Sequence, residues 1–163
     1  SLRECLNLTW YRPRDISLLF EEAARIDEAE ESFRNQTLTD SILKNLGERL
    51  WQDAVSGLSV KYMPAELSGI DRILRSWREI FTRQQFIDRM DELAEMHDDV
   101  ARLTDYRWTE LLSDLYSAGA LYSIDAGGGK NFGFRGAALP PITEDFQLGV
   151  HKSLLKELNL IPK

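Results

Sequence analysis

A mainly α fold that closes in a small β hairpin or three-stranded sheet is predicted by two observations on this 163-residue chain. Up to about residue 120, apolar residues recur at the three-to-four-residue spacing of helices. Beyond it come glycines, prolines and short alternating runs, which signal turns and strands. A composition of 43% hydrophobic and 29% charged residues supplies enough apolar area to offset the entropy of ordering the chain. That length suits one domain, or two small ones sharing an interface.

The elements follow in order. "RPRDISLLFEEAARIDEAEESF" places Pro13 in a first helical turn with Asp15 near the positive end of the dipole. Ile16, Leu19, Phe20 and Ala23 form its apolar stripe, and Glu28, Glu30 and Glu31 a solvated face. "TLTDSILKNLGERLWQDAVSGL" predicts a second helix capped at Thr39 or Asp40, with Ile42, Leu46 and Leu50 on one side and Gly57 and Pro64 bracketing its end. "ELSGIDRILRSWREI" carries Leu67, Ile70, Leu74 and Trp77 at helical spacing. "FTRQQFIDRMDELAEM" opens with the capping-box pair Thr82 and Gln85 and turns Phe86, Met90, Leu93 and Ala94 inward. In "TDYRWTELLSDLYSAGAL", Trp108, Leu111, Leu112, Leu115 and Tyr116 mark one face, with Gly119 as the C′ glycine. "LYSID" and "NFGFR" read as strands around "AGGGK". "FQLGVH" is a third strand after Pro140-Pro141, and "KSLLKELNL" a short closing helix.

Three helices followed by a hairpin describe a winged-helix-like domain over residues 65–163, preceded by a helical segment over 1–64. In such a domain the helix before the hairpin enters the major groove and the hairpin tip touches the backbone. The exposed positions of that helix, Arg107, Glu110, Ser113, Asp114 and Ser117, make a poor surface for phosphate. Lys130 and Arg135 on the wing add a contact or two. With a net charge of −7, nucleic acid is a disfavoured partner and protein docking the favoured use.

"YSIDAGGGKNFGFRG" invites comparison with phosphate-cradling loops. A P-loop needs a glycine five residues before Gly129, where Ile124 stands, and a hydroxyl residue after the lysine, where Asn131 stands. The aromatic-glycine alternation that follows forms no helix, so the stretch reads as a hairpin turn needing positive φ. His97, beside Asp98 and Asp99, lacks metal-ligand spacing and reads as surface; His151 reads as a capping or packing residue. A single cysteine, Cys5, excludes an internal disulfide and fits a reducing, cytoplasmic compartment. Trp10, Trp51, Trp77 and Trp108 read as core or interface anchors. No apolar run reaches the roughly 20 residues of a membrane span, and the N-terminus carries no secretory pattern. The start at Ser1 rather than Met points to a processed chain or to a fragment whose natural start lies upstream. Arg12 and Arg14 flank Pro13 at a helix start, a placement that suits either an ordinary surface or a guanidinium presented to a phosphate held by another domain.

"TWYRPRDISLLFEEA", "WTELLSDLYSAGALYSID…NFGFRG" and "FQLGVHKSLLKELNL", the last with His151, Leu154, Leu155 and Leu158, together resemble the C-terminal region of a bacterial P-loop ATPase of the STAND/AAA-like type. The resemblance spans most of residues 9–160 and is strongest at the two ends. It implies a regulatory, partner-sensing module downstream of an NTPase core, with Arg12 or Arg14 as the arginine offered to the terminal phosphate. It also implies ATP and Mg²⁺ in the full-length parent, no cofactor here, and no catalysis by this chain alone, which lacks a Walker A loop and an acidic metal-binding strand. The partner implied is the parent's own N-terminal core or another protein, without a membrane. The alternative reading is a winged-helix DNA-binding regulator using Arg107, Lys130 and Arg135.

Overall fold

The chain is mainly helical with a small antiparallel sheet. The structure, a computed structural model, describes residues 9, 13–27, 36–133, 139–143 and 146–162. Arg12 and Arg135, like Cys5, Trp10 and Glu28, Glu30 and Glu31, lie outside those residues.

Helix α1 (Pro13–Asp27) starts at the proline and packs on the long helix α2 (Gln36–Leu58). Its inward positions are Asp15 and Leu19, four residues apart, while Phe20 is turned to solvent instead of joining the stripe. A step of 100° per residue separates neighbours, so only one of Leu19 and Phe20 faces α2. The second helix begins at Gln36, so Thr39 and Asp40 sit inside its first turns rather than at its cap. A cap preference of about 1 kcal/mol is small against the packing of so long an element. Leu46, Leu50, Trp51, Ala54 and Leu58 line its buried face.

Pro64 then takes the first position of α3 (Pro64–Leu74), whose inner face is Ile70, Ile73 and Leu74. This helix stops before Trp77. Arg75 leaves helical geometry and Ser76 adopts φ 54°, and Trp77 packs on Phe81 at 4.7 Å between ring centroids. Beyond Arg78 and Glu79, three residues form strand β1 (Ile80–Thr82), which the helical pattern around it conceals. Helix α4 (Arg83–Ala94) begins with the expected capping box: Gln85 N donates to Thr82 Oγ1 at 3.4 Å and Thr82 N to Gln85 Oε1 at 3.0 Å. A short helix α5 (Asp98–Ala101) and a 3₁₀ turn (Arg102–Asp105) lead to α6 (Trp108–Ser117). That helix ends in a Schellman motif. Gly119 stands at φ 84°, Ala120 N donates to Leu115 O at 3.0 Å, and Gly119 N donates to Tyr116 O at 3.0 Å.

Strands β2 (Leu121–Ile124) and β3 (Lys130–Phe132) form the hairpin, with Gly128 at φ 80° in its turn. Strand β4 (Gln147–Val150) pairs with the hairpin through β2. It lies between β1 and β2, giving a four-stranded sheet in the order β1-β4-β2-β3 rather than three strands. The closing helix is replaced by a 3₁₀ turn (Lys152–Leu154) and further turns, with Asn159 at φ 50°. Here Leu154, Leu158 and Leu160 are buried at spacings set by tertiary contact. Ser76 N donates to Leu158 O at 2.8 Å and Ile161 N to Trp77 O at 2.7 Å, tying this end to the α3–β1 connection.

One apolar cluster runs from Leu19 through α2, α3, α4 and α6 into β2, β4 and Leu160. Helix α2 approaches the 3₁₀ turn so closely that a Cβ on Gly47 would lie 2.5 Å from Ser153 O. Glycine at that position is what lets the two backbones meet.

Candidate functional site

Helix α6 and the hairpin after it carry the residues the sequence singles out. Arg107 is the exposed N-cap residue of α6. Trp108 is half-buried beneath the Arg83 guanidinium, 5.5 Å above its ring, rather than fully in the core. Glu110 and Ser117 are exposed as expected, but Ser113 and Asp114 are half-buried. The cause of Asp114's burial is the α2–α3 connection, "VKYMP". Lys61 Nζ donates to Glu110 Oε1 at 2.5 Å and Asp114 Oδ2 at 2.6 Å. The Tyr62 hydroxyl donates to the same Asp114 oxygen at 2.7 Å.

These groups form a closed polar and aromatic cluster. Tyr62 and Tyr106 rings lie 5.1 Å apart, and Lys61 sits 5.4 Å from one centroid and 6.0 Å from the other. Burial, then the bond to Asp114, pushes the Tyr62 hydroxyl well above its ordinary value. Partial burial acts to lower the Lys61 ammonium, but its bonds to Asp114 and Glu110 outweigh that and raise it. Burial and a bond to Glu66 raise Tyr106. Neither Lys61 nor Tyr62 stands out from the sequence. The only trace is a cation and an aromatic residue between a helix end and Pro64.

The glycine loop is closed from within. Asp125 Oδ1 accepts from Gly127 N at 2.9 Å and Gly129 N at 2.7 Å, so its own carboxylate takes the amides that a phosphate would use. The signal for this was an aspartate followed by glycine two and four residues on. Lys130, which opens β3, donates to the Tyr122 hydroxyl at 3.1 Å and lies 4.4 Å over its ring. Arg14, on α1, forms an ion pair with Asp53 of α2, with its side chain 59% exposed. Arg14, Arg107 and Lys130 thus stand on three different elements, and no hydrogen bond or ion pair joins them.

His151 is buried and caps the 3₁₀ turn, its Nδ1 accepting from Ser153 N at 3.3 Å. Nδ1 is also 2.8 Å from Ser153 Oγ, whose hydroxyl proton it can accept. His97 is half-buried at the start of α5. Among the described residues, no group of three or more His, Cys, Asp or Glu side chains is placed to hold a metal ion. No helix among them is long and apolar enough to cross a membrane. No protein-family model, curated protein or solved structure matches the chain.

Proposed function

We propose that this chain is a regulatory, partner-docking module of a larger P-loop NTPase of the STAND/AAA-like type, without catalytic activity of its own and working in the cytoplasm. Residues from α3 onward follow the order helix, strand, helix, short helix, helix, hairpin, strand, which suits a winged-helix-like domain. The observation that carries the docking reading is the clamp on α6. The face that a DNA-binding winged helix lays in the major groove carries Glu110 and Asp114, held by Lys61 and Tyr62 of the preceding connection. A helix whose outward carboxylates are bridged to its own chain offers little to a phosphate backbone, whose binding depends on unpaired cations.

Arg14 suits the sensing role. Its guanidinium stands at the start of α1, largely in solvent, and an exposed pair with Asp53 costs only about 0–1 kcal/mol to exchange for a nucleotide phosphate. Two measurements test the reading. Titration of labelled duplex DNA is expected to show nothing tighter than about micromolar at physiological salt; nanomolar, sequence-dependent binding with a steep salt slope would establish the DNA-regulator alternative. Arg14→Ala is expected to leave the stability of this chain nearly unchanged while lowering ATP turnover of the full-length parent. Unchanged turnover for both Arg12→Ala and Arg14→Ala would remove the sensor role.

A further inference from the structure

A groove of about 930 Å³ runs between α2 and α3 and ends at the C-terminal end of α4. Its walls are mainly apolar, from Trp51, Val55, Leu67 and Leu93. Three exposed apolar side chains adjoin it along the chain: Val60 next to Ser59, Met63 next to Pro64 and Met96 next to His97, each of these partners lining the groove. Val60 is 92% exposed, Met63 67% and Met96 62%. An open cleft with mainly apolar walls marks an interaction surface rather than ordinary scattered exposure.

Arginines dominate the charged lining of the groove, against the acidic balance of the molecule. The chain carries a net −7, yet the lining holds Arg72, Arg75 and Arg89 against the single carboxylate of Asp71. Arg75 is fully committed to the fold. It grips Asp71 with two bonds of 2.8 Å, and Asp71 also accepts from the Trp51 indole at 2.9 Å. Two further donors go to Glu157 O at 2.7 Å and Glu157 Oε1 at 3.2 Å. The other two arginines keep donors in hand. Arg72 reaches Asp99 through Nε alone, at 3.1 and 3.2 Å, with its side chain 44% exposed. The Arg89 Nε is buried without a hydrogen-bond partner, and among the described residues its terminal nitrogens are held only by an ion pair from Nη1 to Glu92 stretched to 3.9 Å, with the side chain 22% exposed.

We propose that this groove binds an acidic amphipathic helix of a partner protein, whose apolar face seats on Trp51, Val55, Leu67 and Leu93 and whose carboxylates pair with Arg72 and Arg89. Helix α3 has 11 residues and therefore spans roughly 16 Å, which matches about three turns of a docked helix with anchors at i, i+4 and i+7. Apolar walls disfavour a phosphate or nucleic-acid backbone, which offers them nothing to bury. Free donors on two guanidiniums favour bidentate carboxylates over a neutral helix. The proposal rests on the docking reading above and names the chemistry of the partner.

The test begins with selection of displayed random peptides of about 12 residues, three helical turns, against the whole chain. Enriched peptides are then titrated by fluorescence anisotropy. The expected winners carry apolar residues at i, i+4 and i+7 flanked by Asp or Glu. Arg72→Glu/Arg89→Glu is expected to weaken them about ten-fold or more, the loss from removing one charge-assisted hydrogen bond. A winner with its acidic residues changed to lysine is expected to regain affinity for that double variant. Thermal melts of Arg72→Gln/Arg89→Gln, which places no new carboxylate beside Asp99, guard against a mere folding defect; this variant is expected to melt near the parent and still to lose binding. No enrichment, enrichment of basic peptides, or binding to both double variants as tight as to the parent would overturn the proposal. So would self-association of the chain that Arg72→Glu/Arg89→Glu abolishes, since a second copy would then be the occupant. Nanomolar duplex binding alongside acidic-peptide binding would sink the docking reading and leave the groove standing. Absence of both would remove the groove alone.

Discussion

Gly149 shows how a single position holds the sheet together. It lies mid-strand in β4, opposite Tyr122 of β2 and Ile80 of β1. A Cβ there would come within 2.3 Å of Tyr122 Cζ, so the ring lies directly across the glycine. Gly149→Ala is therefore expected to cost about 1–3 kcal/mol by overpacking, and to lower the melting temperature by several degrees. Calorimetry of the variant checks this. Tyr62 makes the second case. Tyr62→Phe keeps the ring and removes only the bond to Asp114, with an expected loss of about 1–2 kcal/mol for a hydrogen bond to a carboxylate. Its pH dependence has a definite sign. The folded hydroxyl holds its proton above the ordinary value of 10.0, so the stabilisation is fully present below about pH 10, the unfolded value, and is lost as pH rises further, because only the unfolded chain releases the proton. The raised Lys61 ammonium acts in the same direction. Urea unfolding at pH 8 and above pH 10 is expected to show the parent losing its advantage over Tyr62→Phe at the higher pH; a constant gap would contradict this. None of this was visible in the chain as a string, because Tyr62 and Asp114 lie 52 positions apart.

Among the elements, local chemistry announced itself well. Pro13 opens α1 and Pro64 opens α3, the Thr82–Gln85 box starts α4, and Gly119 ends α6 with its backbone in the left-handed region. Each device acts within six residues, so spacing alone exposes it. Gly119→Ala is expected to cost about 1–2 kcal/mol for placing a Cβ at positive φ, with Gly119→Asn costing less; an Ala variant as stable as the parent would show that the Schellman turn does not hold α6 in place. Elements whose reason lies elsewhere in the chain carry no such local signal. Strand β1 is three residues long and exists because β4, some 65 positions later, pairs with it. The last turns carry a helical spacing of leucines but follow the surface of α2, where Gly47 admits Ser153. Trp77 continues the helical pattern of α3 on paper, yet it serves the aromatic cluster with Phe81 and Phe86.

The single apolar cluster joins the helical segment to the domain that follows it. Leu46 and Leu50 of α2 are as buried as any residue of the sheet. A fragment cut at residue 64 is therefore expected to lose cooperative unfolding and bind a hydrophobic dye, whereas the whole chain melts in one transition. A fragment that melts sharply near the parent's midpoint would instead show two independent folding units meeting at that boundary. Composition, the helix starts at Pro13, Pro64 and Thr82, the turn glycines and most helix faces were settled along the chain, because each depends on neighbours within one or two turns of backbone. They carried the mainly helical class, the hairpin at "AGGGK" and the rejection of a phosphate loop there. Tertiary structure alone decided that β4 enters the sheet between β1 and β2, that Lys61 and Tyr62 clamp α6, and that Arg72 and Arg89 share one apolar groove. Those outcomes follow from which distant surfaces bury each other, and burial is a property of the folded chain's geometry rather than of any segment of it.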